Sequence, residues 1–175
     1  RRTRGREDFY ISVRQDSIWG PARAVPGLNS PGNEGAATLS ADGKVLVFTR
    51  CQARDSYGQC DLYLSTQRNG RWTEPRNMGP RLNTSYNETQ PAFSPDGRSL
   101  YFASNRPGGV GQMDIWRIDW LASGEWSIAV ALDTSVNSTH DEKTPYLHYD
   151  NQTLYFTSDR PDGYGSSDLY VSRKK

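Results

Sequence analysis

The sequence predicts an all-β fold: a β-propeller of four-stranded antiparallel blades, with about three and a quarter blades present as an incomplete ring. Three observations predict it. A 54-residue repeat runs through the chain, each repeat resolves into four short strands, and the second strands are apolar at consecutive positions.

The repeat is visible as columns. Glu34, Glu88 and Glu142 are spaced by 54 residues, as are Phe48, Phe102 and Phe156, and so are the pairs starting at Asn29, Asn83 and Asn137. Trp19, Trp72 and Trp126 follow at 53 and 54, and Asp8, Asp61, Asp114 and Asp168 at 53, 53 and 54. Repetition at a fixed long period dictates the architecture before any local reading does. The columns divide one propeller domain, 1–175, into the pieces 7–33, 34–87, 88–141 and 142–175.

One period gives the unit. Residues 88–94 form the first strand, and Pro95-Asp96-Gly97 turns the chain, with Gly97 free to take positive φ. Asp42-Gly43 and Asp150-Asn151 fill that turn in the other repeats, asparagine being the next-best residue for that backbone. The second strand begins at Leu46, Leu100 or Leu154, and a glycine-rich loop leads to a third that begins at the Asp column. The fourth follows the Trp column. Apolar residues on both faces of a strand imply a sheet held between two others. Four-stranded sheets stacked around an axis are the blades of a propeller.

Composition fits. Sixteen glycines and ten prolines supply turns, and 5 Trp, 10 Tyr and 5 Phe supply a core that a disordered chain would lack. A net charge of +1 gives no reason to expect nucleic acid as a partner, and the run Arg1 to Arg6 reads as a solvated end. No apolar run approaches the ~20 residues of a membrane span, and the sequence holds no signal-peptide pattern, which leaves the compartment of the parent protein open.

Four groups of residues are candidates for function. Cys51 and Cys60 fall at the two feet of a loop between second and third strands, close enough for a disulfide, with reduced thiols as the alternative. Zinc would need four ligands, so no metal and no cofactor are expected. Arg106 and Arg160 could pair with Asp114 and Asp168, or only set loop geometry. Glu34, Glu88 and Glu142 open the innermost strands and so should ring one mouth of the central channel. There they could bind a cation or basic peptide, or accept hydrogen bonds from loop amides of their own blades. Catalytic residues are not expected: His140-Asp141 lies near serines, but with two histidines and no nucleophile elbow a hydrolytic triad has little support.

The string from Glu88 through Thr-Gln-Pro-Ala-Phe-Ser-Pro-Asp-Gly to Asn105-Arg-Pro-Gly-Gly, closing with Asp114-Ile-Trp, resembles the WD40-like β-propeller repeat of TolB-type periplasmic proteins. The long period and the Asn-Arg-Pro-Gly-Gly loop look closest to propellers of OmpA-family envelope proteins in bacteria that use type IX secretion. The repeat from Glu34 departs, with Ala37 for the strand proline and no Arg-Pro-Gly loop. His148-Tyr149 replaces Ser-Pro in the third. The resemblance implies a non-catalytic scaffold in the periplasm, tied to the outer membrane through other domains and bound to other envelope or secretion-system proteins. A disulfide agrees with that compartment. The alternatives are a propeller that gates a peptidase, or one that binds glycans through rim aromatics such as Trp120 or Tyr164. An arc would also expose the faces of its end blades, which more of the same chain or self-association would cover; a fragment of a larger envelope protein is the expectation.

Overall fold

The computed structural model describes residues 7–174; the basic run Arg1 to Arg6 lies outside the described residues. Among the described residues there is no helix, hence none long and apolar enough to cross a membrane. The described residues begin with the outer half of a blade. Strand β1 (Tyr10–Ile11) is continued by β2 (Arg14–Gln15), and β3 (Ile18–Trp19) by β4 (Arg23–Ala24). β1 pairs antiparallel with β4, and β2 with β3.

Three further blades follow. The first holds β5 (Asn33–Leu39), β6 (Val45–Cys51) and β7 (Cys60–Arg68), with β8 (Arg71–Trp72) and β9 (Arg76–Asn77) both paired to β7. The second is β10 (Glu88–Phe93), β11 (Ser99–Ser104), β12 (Asp114–Asp119) and β13 (Val130–Ala131), in that order across the sheet. The third is β14 (Glu142–Leu147), β15 (Thr153–Ser158) and β16 (Asp168–Arg173). Innermost strands stand side by side, β10 packing against β5 on one side and β14 on the other.

Side chains alternate across each sheet and fill the gaps on both sides. Phe48 and Tyr63 pack toward the half-blade, against Phe9 and Val25. Their strand neighbours Val47 and Leu62 pack the other way, onto Leu100, Phe102, Trp116 and Ile118 of the second blade. Tyr101 and Ile115 repeat this against Leu154 and Phe156 of the third. The consecutive apolar residues of the second strands therefore serve two interfaces each, the arrangement that a sheet buried on both faces requires. At the outer face of the third blade, Leu169 is 71% exposed, whereas Leu62 and Ile115 in the same column are at 0%.

Two features differ from the expected unit. The fourth strand is broken, because side chains take over its ladder: the Thr73 and Ser127 hydroxyls accept the amides of Thr66 and Asp119, at 3.0 Å each. Pro75 also lacks the donor a continuous strand needs. The first strand carries a β-bulge at the same place in every blade, with Ala36, Gln90 and Thr144 at φ 43, 55 and 50. The bulge frees an amide to reach the preceding blade. Gln90 donates to the Thr49 hydroxyl and Thr144 to the Gln90 side-chain carbonyl, both at 3.0 Å. The turns themselves are as expected, with Gly43, Gly97 and Asn151 at φ 68, 68 and 57.

Candidate functional site: one rim of the arc

The glutamate column lies inside the blades. Glu34, Glu88 and Glu142 are 1%, 0% and 0% exposed. Each accepts two bonds from the linker that precedes its own strand. Glu88 takes the Thr84 amide at 2.8 Å and hydroxyl at 2.7 Å, and Glu142 takes both from Ser138 at 2.7 Å. Glu34 takes the Ser30 amide at 3.1 Å and the Ser30 hydroxyl. A buried carboxylate persists only when paired and hydrogen-bonded, and here an arginine completes the set.

Arg106 meets Glu88 at 3.0 Å and Arg160 meets Glu142 at 3.2 Å. Both arginines thus turn to the glutamates, not to the aspartates of the next strand. Each also donates to a linker carbonyl, of Leu82 and Val136. Each guanidinium lies between two rings: Arg106 stands 5.0 Å from Phe102 and 5.1 Å from Trp116, and Arg160 5.5 Å from Phe156 and 5.2 Å from Tyr170. Burial pushes the Arg106 pKa below its ordinary value, against the pull of Glu88, though an arginine so paired stays protonated.

Column reading missed a third member. In the first full blade Arg50 bonds Glu34 at 2.9 Å, donates to the Leu28 carbonyl at 2.8 Å, and sits 5.4 Å from Phe48 and 5.0 Å from Tyr63. Arg50 projects from β6 itself, two positions before the place its counterparts hold. The loop released from this task is closed by the Cys51–Cys60 disulfide, whose residues face each other across β6 and β7 with Cα atoms 4.0 Å apart. Arg50 was findable, as the one charged residue of β6.

The aspartate column organises the loops between second and third strands. Asp61 accepts the amides of Tyr57 and Gly58 at 2.8 and 3.0 Å, and Asp168 those of Tyr164 and Gly165 at 2.8 and 2.9 Å. Asp114 does the same for Val110 and Gly111. Each aspartate pins the backbone under one outward apolar residue: Tyr57, Val110 and Tyr164 are 50%, 44% and 105% exposed. Gly58 and Gly111 are required by close approach, since a Cβ would come within 1.7 Å of the Tyr86 carbonyl and 2.1 Å of the His140 carbonyl. Tyr86, itself 41% exposed, joins the same rim.

The asparagine column ties linkers backward. Asn83 both accepts from and donates to the Leu62 backbone, at 2.9 Å each way, and Asn137 does the same to Ile115 at 2.8 and 3.0 Å. His140 faces the Asp159 carboxylate at 3.8 Å, while Asp141 is engaged by Lys143 at 2.7 Å. Among the described residues no three His, Cys, Asp or Glu side chains are grouped to hold a metal ion.

No known family model and no curated protein matches the sequence. Solved structures do resemble it. TolB from Acinetobacter baumannii superposes with a TM-score of 0.58 at 18% identity, over 87% of this chain and 32% of that one. A putative TolB from Agrobacterium tumefaciens gives 0.58 at 23% identity, over 98% of this chain and 54% of that one. A puromycin-hydrolysing peptidase of Mycobacterium tuberculosis gives 0.56 at 15% identity, over 94% and 29%. These likenesses show the propeller fold. The chain spans about half, or less, of the proteins it matches.

Proposed function

We propose that the chain is part of a non-catalytic β-propeller scaffold that holds partner proteins on one rim in the bacterial cell envelope. The carrying observation is the pinned rim: Tyr57, Val110 and Tyr164 are exposed side chains on backbone fixed by Asp61, Asp114 and Asp168. Side chains presented on a rigid backbone lose little entropy when a partner docks. The disulfide supports an oxidising compartment, the periplasm, and the repeat's resemblance to OmpA-family envelope propellers supports a place in the type IX secretion machinery. Attachment to the outer membrane would come from other domains. Self-association is a further proposal, supported by exposed Leu169 and Val171 at one end of the arc and Ile18 and Trp19 at the other.

Photo-crosslinking tests the scaffold. A crosslinking amino acid at Tyr57 or Tyr164 should capture discrete envelope proteins, secretion components among them, while one at Lys44 on the opposite end should not. Equal capture from both ends, or none from the rim, rejects it.

A second reading, a propeller gating a peptidase, draws on the structural likeness to peptidases. A hydrolase domain in the same polypeptide would decide for it.

A further inference from the structure

The three rim loops are not equivalent. In the first and third, a tyrosine of the following strand donates its hydroxyl to an aspartate of the loop: Tyr63 to Asp55 at 2.7 Å, Tyr170 to Asp162 at 2.8 Å. The middle loop has changed at both ends of that bond. Trp116 stands in the tyrosine column and Gly108, at φ 101, in the aspartate column. The indole N–H of Trp116 is buried without a partner. The tyrosine–aspartate tie of the loops on either side is missing here, although Asp114 still holds the backbone at Val110 and Gly111, and the loop carries a cavity of about 420 Å³ lined by Asn105, Arg106, Gly108, Gly109, Gly111 and Gln112.

Charge on the neighbouring loops is uneven. Asp55 on the first loop and Asp159 and Asp162 on the third are exposed, with Asp141 on the linker beside them. Of the nearby cations among the described residues, Lys143 is engaged by Asp141, and Arg106 and Arg160 by the buried Glu88 and Glu142, which leaves Arg54. The turns at the opposite end mix signs, with exposed Lys44, Arg68, Arg71 and Arg98 beside Asp42 and Asp96.

We infer that this rim docks an extended, basic segment of a partner protein. One side chain of the segment enters the middle loop's cavity over the glycine backbone. Flanking lysines or arginines meet the carboxylates of the outer loops, their ammonium or guanidinium groups lying against Tyr57 and Tyr164. The inference rests on the rim being the docking face and adds the partner's chemistry. It places the attraction for cations on exposed aspartates, since the buried glutamates are each neutralised by an arginine.

Fluorescence anisotropy with labelled short peptides tests it, using one that alternates lysine and valine and one with glutamate in place of lysine. The lysine peptide should bind roughly tenfold tighter than the glutamate peptide, and raising salt should erase the difference. The triple variant Asp55→Asn, Asp159→Asn, Asp162→Asn keeps an acceptor for each internal bond, so the loops stay folded. It should lose most of the preference, while Lys44→Glu should not change it. Equal binding of both peptides, or a preference that survives the triple variant, overturns the inference. Tighter binding of the glutamate peptide that depends on Tyr57 and Tyr164 also overturns it but leaves the rim as docking face. A rim silent in crosslinking removes both.

Discussion

Arg50 lies directly across the β-ladder from Glu34 and bonds its carboxylate, in the position that Ser104 and Ser158 hold opposite Glu88 and Glu142. Those serines donate to the glutamates at 3.0 and 2.8 Å, and their blades bring the guanidinium from the loop instead. One buried cation, one carboxylate and two rings recur in every full blade, although the arginine arrives from two different places in the repeat.

Removing that cation strands a buried charge. Arg106→Ala should destabilise the fold by about 3–5 kcal/mol, read from a denaturant midpoint, because Glu88 and the Leu82 carbonyl both lose a donor. Pairing Arg106→Met with Glu88→Gln should recover much of the loss.

Asn83→Ala leaves the Leu62 amide and carbonyl unpaired at a site that is 1% exposed. A cost of about 2–3 kcal/mol is expected. Amide exchange should quicken in the linker and in both blades it joins.

The disulfide and the ion pair of the first full blade are separable. Cys51→Ser with Cys60→Ser should lower stability by about 2–3 kcal/mol, for a loop spanning a sequence separation of 9. Exchange should rise at residues 52–59, while the Arg50–Glu34 pair keeps its protection.

The turns give a pH signature. Bonds from the Ser94 hydroxyl and the Arg98 amide hold the Asp96 carboxyl below its ordinary pKa, and Ser40 and Lys44 do the same for Asp42. For Asp150 the amides of Gln152 and Thr153 act first. A carboxyl depressed on folding contributes its stability fully above the unfolded value of about 3.9 and loses it as pH falls through the folded value. Turn stability should therefore be flat from neutrality to about pH 5 and decline only in stronger acid. Carboxyl titration by NMR checks this, and Asp96→Asn should remove its share of the decline.

Much of the fold was legible because the columns are functional in the folding sense: each repeated residue holds one fixed bond. Spacing puts the glutamates and aspartates at or beside the starts of first and third strands and the glycines in turns, where they stand, but the glutamates, expected at the mouth of the channel, are buried within the blades. The bulges could not, since Ala36, Gln90 and Thr144 share a backbone conformation and no side-chain type. Arg50 escaped because the same atoms are reached from a different column. For Arg106 and Arg160 the spacing leaves two readings open, pairing with Asp114 and Asp168 or a role in loop geometry alone, and neither names the glutamates that they meet. The aspartates are nearer in sequence, but each is engaged by two loop amides, and only the folded sheet brings the glutamates within reach.

The linker Leu82-Asn83-Thr84 is shared property: its asparagine is bonded to the blade before it, and its leucine carbonyl and threonine to the blade after. Under a pulling force along the chain, the load between those two blades converges on this segment. The arc should then yield by discrete detachments, each releasing one blade of about 54 residues of slack, so that the same three residues set how much tension the assembly can bear before it pays out length.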